Sequence, residues 1–198
     1  MTDHFRLETR RLILRHWREE DRAPFAALNA DPRVMAHFPK VLDRSESDEI
    51  FTRVLNGFQR HGYGPWALEV RGGEPFIGFC GIWSPRFTAH FTPCIEIGWR
   101  LAFDAWGRGY ATEAAQAALA YGFDSMRLEE IVAYAVPENV RSRQVMERLG
   151  MVHDPADDFD HPLEPEAAPI RRHVLYRLGR DAWRARHSAP LQETAAAP

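Results

Sequence analysis

Lysine is almost absent from this chain of 198 residues, because Lys40 is the only lysine among 25 basic residues. Arginine supplies the rest of the positive charge, and 28 acidic residues leave a formal net charge of −3. A chain with this balance has no general basic field, so the composition argues against nucleic acid as a partner. We interpret the arginine excess as a compositional bias rather than as a functional signal.

Cysteine is also scarce, and long hydrophobic runs are missing. The two cysteines, Cys80 and Cys94, both lie in strand-like segments. This pattern fits buried thiols in a reducing compartment better than a disulfide framework. No apolar run is long enough to span a bilayer, and the polar N-terminus does not have the pattern of a signal peptide. We therefore expect a cytoplasmic protein with no membrane partner.

The hydrophobic content of 45% is that of a folded globular protein, and the length suits one domain. We expect that domain to cover residues 1–186 and residues 187–198 to form a disordered tail. Hairpin-like strands come early and strand–helix–strand units come later, which predicts an α/β (α+β) fold with a mixed sheet covered by helices. The elements predicted before residue 94 are strands over 7–15, 66–70 and 76–83, and helices over 23–29 and 45–60, the second capped by Ser45 or Ser47.

The most informative stretch runs from Cys94 to Leu149. Alternating apolar residues predict a strand over 94–101, with Glu96 on the face opposite Ile97 and its apolar neighbours. Small apolar residues at helical spacing predict a helix that starts near Ala111. A strand, a glycine turn and a helix in this order point free backbone N–H groups, and the positive end of the helix dipole, at an anion.

The turn between these elements reads Trp106-Gly107-Arg108-Gly109-Tyr110-Ala111. It is not a mononucleotide P-loop, because no Gly-Lys-Ser/Thr sequence follows it. It is not a dinucleotide fingerprint either, because the third glycine would fall where Thr112 stands. By itself the turn is equally compatible with an ordinary connection between a strand and a helix.

The motifs that follow make the pattern specific, because in this order they resemble the GNAT (general N-acetyltransferase) superfamily and, within it, the RimJ/RimL-type branch. The resemblance covers most of the chain up to about residue 154. One departure is Trp106, where the superfamily usually has Gln or Arg and the RimJ/RimL branch often has Trp. The segments that carry the resemblance are Leu7–Arg15, Ile95-Glu96-Ile97-Gly98-Trp99, Trp106–Ala114, Asn139-x-x-Ser142 and Leu149-Gly150-Met151.

The resemblance implies a mostly antiparallel twisted sheet, helices on both faces and a splayed central strand pair. It implies direct transfer of an acetyl group from acetyl-CoA to a primary amine, either a protein N-terminus or a small molecule, by a possible homodimer. A non-catalytic acyl-CoA-binding regulatory module is the alternative, since such a module would keep the turn and need neither Glu96 nor Ser142.

The resemblance also implies where the cofactor binds. The turn would hold the pyrophosphate, and strand N–H groups near Gly98 would meet the thioester where the strands part. Asn139 is independently predicted to cap a helix, and Ser142 has a plain alternative as a helix-surface or capping serine. The implied cofactor-binding residues are Ile97, Gly98, Trp99, Arg108, Gly109, Tyr110, Ala111, Thr112, Asn139 and Ser142.

Two residues are candidates for proton transfer. Glu96 is the expected general base, since an alkylamine has a pKa near 10 and must lose a proton before or during attack. Its alternative is a structural ion pair with Arg100 on the same strand face. Ser142 is the expected proton donor to the departing thiolate. Many relatives use a tyrosine there, and the less favoured substitutes in this chain are Tyr134, Tyr121 and Tyr176.

Residues 154–169 are rich in Asp, Glu and Pro and have no periodicity, which predicts a long acidic loop. The histidines and aspartates around it fit no zinc spacing, so we expect no metal. A loop of this charge would favour cationic substrates at the entrance. A last strand over 173–178 and a short helix over 181–186 are predicted to follow.

Overall fold

The structure, a computed structural model, describes residues 6–187. Residues 188–198 of the predicted tail lie outside the described residues. The strands are β1 Leu7–Glu8, β2 Leu12–Arg15, β3 Pro65–Val70, β4 Gly78–Trp83, β5 Glu96–Leu101, β6 Glu130–Ala135, β7 Val152–His153, β8 Phe159–Asp160 and β9 Arg172–Gly179. The α-helices are α1 Arg22–Ala30, α2 Arg44–His61, α3 Tyr110–Ala120, α4 Val140–Arg148 and α5 Arg180–His187.

The strands form one mixed sheet in the order β1-β2-β3-β4-β5-β6-β9-β7, with β8 paired to β9. Every neighbouring pair is antiparallel except β5 and β6, which run parallel. These two strands share one register pair, Glu96 opposite Val132. Beyond that pair they separate, which confirms the expected splayed pair at the centre of a mostly antiparallel sheet.

Helices cover both faces of the sheet. Phe79 and Ile82 of β4 point to opposite faces, because side chains alternate along a strand. On the first face, the ring centroid of Phe25 in α1 lies 6.1 Å from that of Phe79. On the second face, a Cβ added to Gly122, just beyond α3, would lie 3.5 Å from Ile82. The expected arrangement of helices is therefore confirmed.

The prediction of a single strand over residues 7–15 is wrong. β1 and β2 form an antiparallel hairpin in which Leu7 lies opposite Leu14. The carboxylate of Glu113 holds the turn between them, because it accepts hydrogen bonds from the Thr9 hydroxyl (2.6 Å) and from the backbone N–H of Arg11 (2.8 Å). Glu113 lies in the first turn of α3, so the hairpin is fixed against the helix that follows the glycine turn.

The predicted cap of α2 is also corrected. Asp43 is the N-cap, and its side chain accepts a hydrogen bond from the backbone N–H of Glu46 (2.9 Å). Glu46 returns the contact to the backbone N–H of Asp43 (3.0 Å), which completes a capping box. Ser47 is instead buried, and its hydroxyl accepts a hydrogen bond from the Asn29 amide (2.8 Å), which ties α2 to α1.

The segment 154–169 is more ordered than a plain loop, because it contains β8 on the edge of β9. Two contacts anchor its first part: Asp157 forms an ion pair with Arg177 at 2.6 Å, and Asp158 forms a hydrogen bond with His153 at 2.7 Å. The Arg177 contact lowers the pKa of Asp157 below its usual value. These two aspartates are therefore held by contacts within the fold.

A buried ion pair gives a stability prediction. The guanidinium of Arg15 binds both carboxylate oxygens of Asp21, at 2.7 and 2.9 Å, and both residues are almost fully buried. We expect Asp21→Ala to lower the free energy of unfolding by about 3–5 kcal/mol, because it leaves a buried cation short of one partner. Denaturant unfolding measures this loss.

The control for this prediction is Arg172→Ala, which removes an exposed pair with Asp160 at 3.3 Å. An exposed pair contributes about 0–1 kcal/mol. Equal losses in the two variants would show that the Arg15 pair does not stabilise the fold as described.

Candidate functional site

The glycine turn leads into a helix that has no side-chain cap. Gly107 and Gly109 have φ angles of +72° and +77°, a left-handed conformation that costs other residues roughly 1–2 kcal/mol. Gly109 is the N-cap of α3 and has no side chain to accept from the first turn. The N–H groups at Tyr110, Ala111 and Thr112 therefore have no partner within the helix. The turn thus presents several aligned donors to an anion.

Positive charge lies next to these donors. Arg108 stands between the two glycines, and its side chain is exposed. The guanidinium of Arg141, in the first turn of α4, lies 4.9 Å from the ring centre of Trp106. Two arginines and the positive end of a helix dipole together suit a group with several negative charges, such as a pyrophosphate.

Trp106 fixes the turn to the end of β5. Its indole N–H donates a hydrogen bond to the backbone carbonyl of Leu101 (2.8 Å). The Phe103 ring supports the indole at a centroid distance of 5.1 Å. Because Leu101 is the last residue of β5, this contact holds the free N–H groups of α3 at the open end of the splayed strand pair.

Strand geometry decides which backbone groups of β5 face the gap. The carbonyl of Ile95 accepts a hydrogen bond from Val132 of β6 (3.0 Å), and backbone groups point to alternate edges along a strand. Ile97 and Trp99 therefore turn their N–H groups toward β6, and Gly98 turns its own toward β4. Since β6 has moved away beyond Val132, the N–H of Trp99 opens into the gap. It is the donor best placed to meet a carbonyl oxygen there.

Gly98 has a packing role in this strand. A Cβ on it would lie 2.7 Å from the ring of Trp83, which is closer than real Cβ atoms come. The missing side chain therefore makes room for the Trp83 indole on the face that carries Glu96. Close packing against Trp83 therefore accounts for a glycine at position 98. The N–H of Gly98 needs no role in the gap to explain it.

Glu96 meets a tyrosine rather than an arginine. Its side chain is 6% exposed, and its Oε2 accepts a hydrogen bond from the Tyr134 hydroxyl. Tyr134 lies on β6, two residues beyond Val132, so it shares the strand face of Glu96. The alternative interpretation of Glu96 as an ion-pair partner of Arg100 is therefore wrong, since Arg100 binds Asn29 instead.

Burial sets the protonation of this pair. It raises the pKa of Glu96 to about 7, and the hydrogen bond from Tyr134 offsets part of that rise. Burial and the neighbouring carboxylate raise the pKa of Tyr134 well above its usual value, so the phenol stays protonated. A carboxyl with a pKa near neutral pH is suited to accepting a proton in the physiological range.

An aromatic wall closes this side of the site. The ring centroids of Phe87 and His173 each lie 5.8 Å from that of Tyr134, and the ring of Phe159 lies at 5.5 Å. Burial lowers the pKa of His173 below its usual value, which favours its neutral form. Burial also raises the pKa of the nearby Cys94 thiol to about 11, so it is a poor nucleophile at neutral pH.

The start of α4 has the predicted cap. The side chain of Asn139 accepts a hydrogen bond from the backbone N–H of Ser142 (3.2 Å). Ser142 is the third residue of α4, as expected from the sequence, and its side chain is half-buried. Its assignment as proton donor stays a prediction.

The three candidate tyrosines differ in their contacts. The Tyr176 hydroxyl donates to Glu147 (3.0 Å), and the Tyr121 ring packs on Trp66. Tyr134 alone of these three meets Glu96, although the sequence had given it low priority. The sequence contains no local signal for this contact, because it depends on the register of β5 and β6.

No group of three or more His, Cys, Asp or Glu side chains within residues 6–187 is arranged to hold a metal ion. In the same range, no helix has the length and apolar character needed to cross a bilayer.

Similarity to known proteins agrees with this geometry. A family model described as an acetyltransferase (GNAT) domain matches residues 11–152. The chain is 31% identical over 145 residues to the uncharacterized N-acetyltransferase YnaD of Bacillus subtilis, covering 73% of this chain and 81% of YnaD. The crystal structure of an acetyltransferase from Agrobacterium tumefaciens superposes with a TM-score of 0.71 at 30% identity, covering 87% of this chain and 93% of that one.

A second similar structure contains a coenzyme A derivative. It is Mycobacterium smegmatis RimJ in complex with CoA-disulfide, with a TM-score of 0.65 at 23% identity, covering 91% of this chain and 84% of that one. At this identity the likeness concerns the fold.

Proposed function

Because the chain belongs to the GNAT acetyltransferase family, we propose that it transfers the acetyl group of acetyl-CoA directly to the nitrogen of a primary amine. The proposal rests mainly on the buried Glu96–Tyr134 pair beside the gap between β5 and β6. An uncapped helix start at the mouth of that gap supports binding of the pyrophosphate. A direct transfer fits the two cysteines, because burial raises the pKa of the Cys80 and Cys94 thiols above the usual value and makes them poor nucleophiles at neutral pH.

Each step uses a residue of this chain. Arg108 and the N–H groups at Tyr110–Thr112 hold the diphosphate, and the Trp99 N–H donates to the acetyl carbonyl oxygen as negative charge develops on it. Glu96 takes a proton from the attacking amine as the bond between nitrogen and the acetyl carbon forms. The bond between carbon and sulfur then breaks, and the thiolate takes a proton from Ser142 or from water.

The acceptor in this proposal is a protein N-terminal amine or a small amine. Placement in the RimJ/RimL-like branch is supported by the motif around Trp106. Segment 154–169 adjoins β9 near Tyr134, and its acidic side chains that have no ion pair favour a cationic group, such as an ammonium, on the acceptor.

The test is release of free thiol from acetyl-CoA with a panel of primary amines and N-terminal peptides. We expect thiol release that depends on an amine and rises with its concentration, with the acetylated amine found by mass spectrometry. Tight binding of acetyl-CoA without release for any acceptor would contradict the proposed transfer and would favour the non-catalytic binding module.

A further inference from the structure

Arg100 is a half-buried cation without a counter-charge. Its Nη1 donates to the side-chain oxygen of Asn29 (2.6 Å), while its Nε is buried and has no hydrogen-bond partner. Across residues 6–187, no carboxylate forms an ion pair with this guanidinium. Burial lowers the pKa of Arg100 to about 10, and no nearby charge counters that effect. Such a cation is costly unless it binds an anion at some stage.

The side chains that contact Arg100 are neutral, and the residue stays partly accessible to solvent. The guanidinium lies 4.1 Å from the ring centre of Phe38 and 5.6 Å from that of Phe79. Phe38 belongs to the connection between α1 and α2, and 37% of its side chain is exposed. Asn29 is neutral, and its amide is already held by Ser47, so it orients the guanidinium without neutralising it.

Arg100 lies on the same strand face as the proton acceptor. Glu96, Gly98 and Arg100 alternate along β5, and the Trp83 ring lies over Gly98 between the other two. The face thus presents a carboxylate, an indole surface and a guanidinium in a row. The Cα atoms of Glu96 and Arg100 are separated by four residues of strand, or about 13 Å.

We propose that Arg100 binds a carboxylate of the acceptor, and that the acceptor is a small amino acid whose reacting amine stands several bonds from that carboxylate. This inference rests on the proposed acetyl transfer and names its substrate class. Glu96 takes the proton from the amine, the carbon chain lies on Trp83, and the guanidinium fork pairs with the carboxylate oxygens. An α-amino group lies too close to its own carboxylate to span this row.

Matched acceptor pairs test the proposal. One pair is 5-aminopentanoate and pentylamine, which differ in the carboxylate and share a primary amine. The wild-type protein should have a kcat/KM about 10- to 100-fold higher for 5-aminopentanoate, because a hydrogen bond to a charged group contributes that much. The preference should appear mainly in the KM of the acceptor. Glycine should show no such increase in kcat/KM, because its amine and carboxylate are adjacent.

Variants at Arg100 test whether this side chain causes the preference for the acceptor with a carboxylate. In Arg100→Gln the ratio of kcat/KM values for the two acceptors should fall to near one, and in Arg100→Lys it should be intermediate. Arg53→Gln, a change on the exposed face of α2, should keep the wild-type ratio. The ratio is internal to each variant, so partial loss of folded protein lowers both values equally.

The outcomes are distinguishable. Acetylation of both amines at equal efficiency by the wild-type protein would overturn this inference and leave the proposed transfer standing. A preference that survives in Arg100→Gln would overturn it as well. Absence of acetylation for every amine and peptide would instead contradict the proposed function itself.

Discussion

Replacing Glu96 by glutamine is expected to lower kcat/KM for amine acetylation at pH 7 by about 10²- to 10⁴-fold, the usual contribution of a general base. The substitution keeps the size of the side chain and removes the proton acceptor. The measurement is the initial rate of thiol release with one alkylamine. Glu74→Gln, in the exposed turn before β4, is the matched control and should retain wild-type rates.

The pH profile of the same variant gives a sharper result. Because the pKa of Glu96 is about 7, the wild-type rate should rise with pH up to about 7 and then level off as the carboxylate becomes ionised. Glu96→Gln should instead rise steadily toward the amine pKa near 10, since only the neutral amine can react unaided. Identical profiles in the two proteins would remove Glu96 from the mechanism.

Tyr134→Phe tests whether the partner of Glu96 is correctly identified. Its hydroxyl donates to the ionised carboxylate and therefore lowers the pKa of Glu96. Without the hydroxyl, the pH below which the rate falls should move to a higher value. The rate should still depend on pH, because Glu96 remains. A fall at the same pH as in the wild-type protein would show that Tyr134 does not tune this carboxyl.

Replacing Gly109 by aspartate is expected to raise the Kd for acetyl-CoA about 100-fold. The φ angle of +77° strains any residue with a Cβ by roughly 1–2 kcal/mol, so the turn of the free variant should relax and acetyl-CoA would have to restore the strained conformation. The added carboxylate would also compete for the free N–H groups of α3 and repel the pyrophosphate. Calorimetric titration of acetyl-CoA measures the change, and Gly109→Ala separates strain from charge with an expected loss of about 10-fold.

Gly72→Asp is the matched control for this change. Gly72 lies in the turn after β3 with a φ angle of +68°, so the same substitution brings a similar strain and the same charge away from the site. It should bind acetyl-CoA with wild-type affinity. Retained affinity in Gly109→Asp, or an equal loss in Gly72→Asp, would defeat the assignment of the turn.

The sequence predicted the elements whose signals are local. Local signals predicted α1 and α2 to within one residue at each end, and alternation predicted β5 with Glu96 opposite the apolar face. It failed where distant residues decide the structure. The β1–β2 hairpin depends on Glu113, more than a hundred residues away, and the short strand β8 is held by pairing with β9. No local pattern contains these contacts.

The residues of the candidate site show the same difference between local signals and distant contacts. Gly109 and Asn139 were predictable because helix starts have strong local preferences. The Glu96–Tyr134 contact was missed because it needs the register between β5 and β6. Arg100 was assigned to Glu96 from their shared strand face, but residues four apart on a strand stand about 13 Å apart, and Asn29 reaches it from α1 instead.

A crystal structure of this protein with bound acetyl-CoA is the most direct test of the account. It should place the pyrophosphate on the N–H groups at Tyr110–Thr112, and the thioester in the gap beside Trp99 with Glu96 facing the acetyl carbon. A cofactor bound elsewhere on the protein, or a gap closed to it in crystals that bind it, would contradict the account.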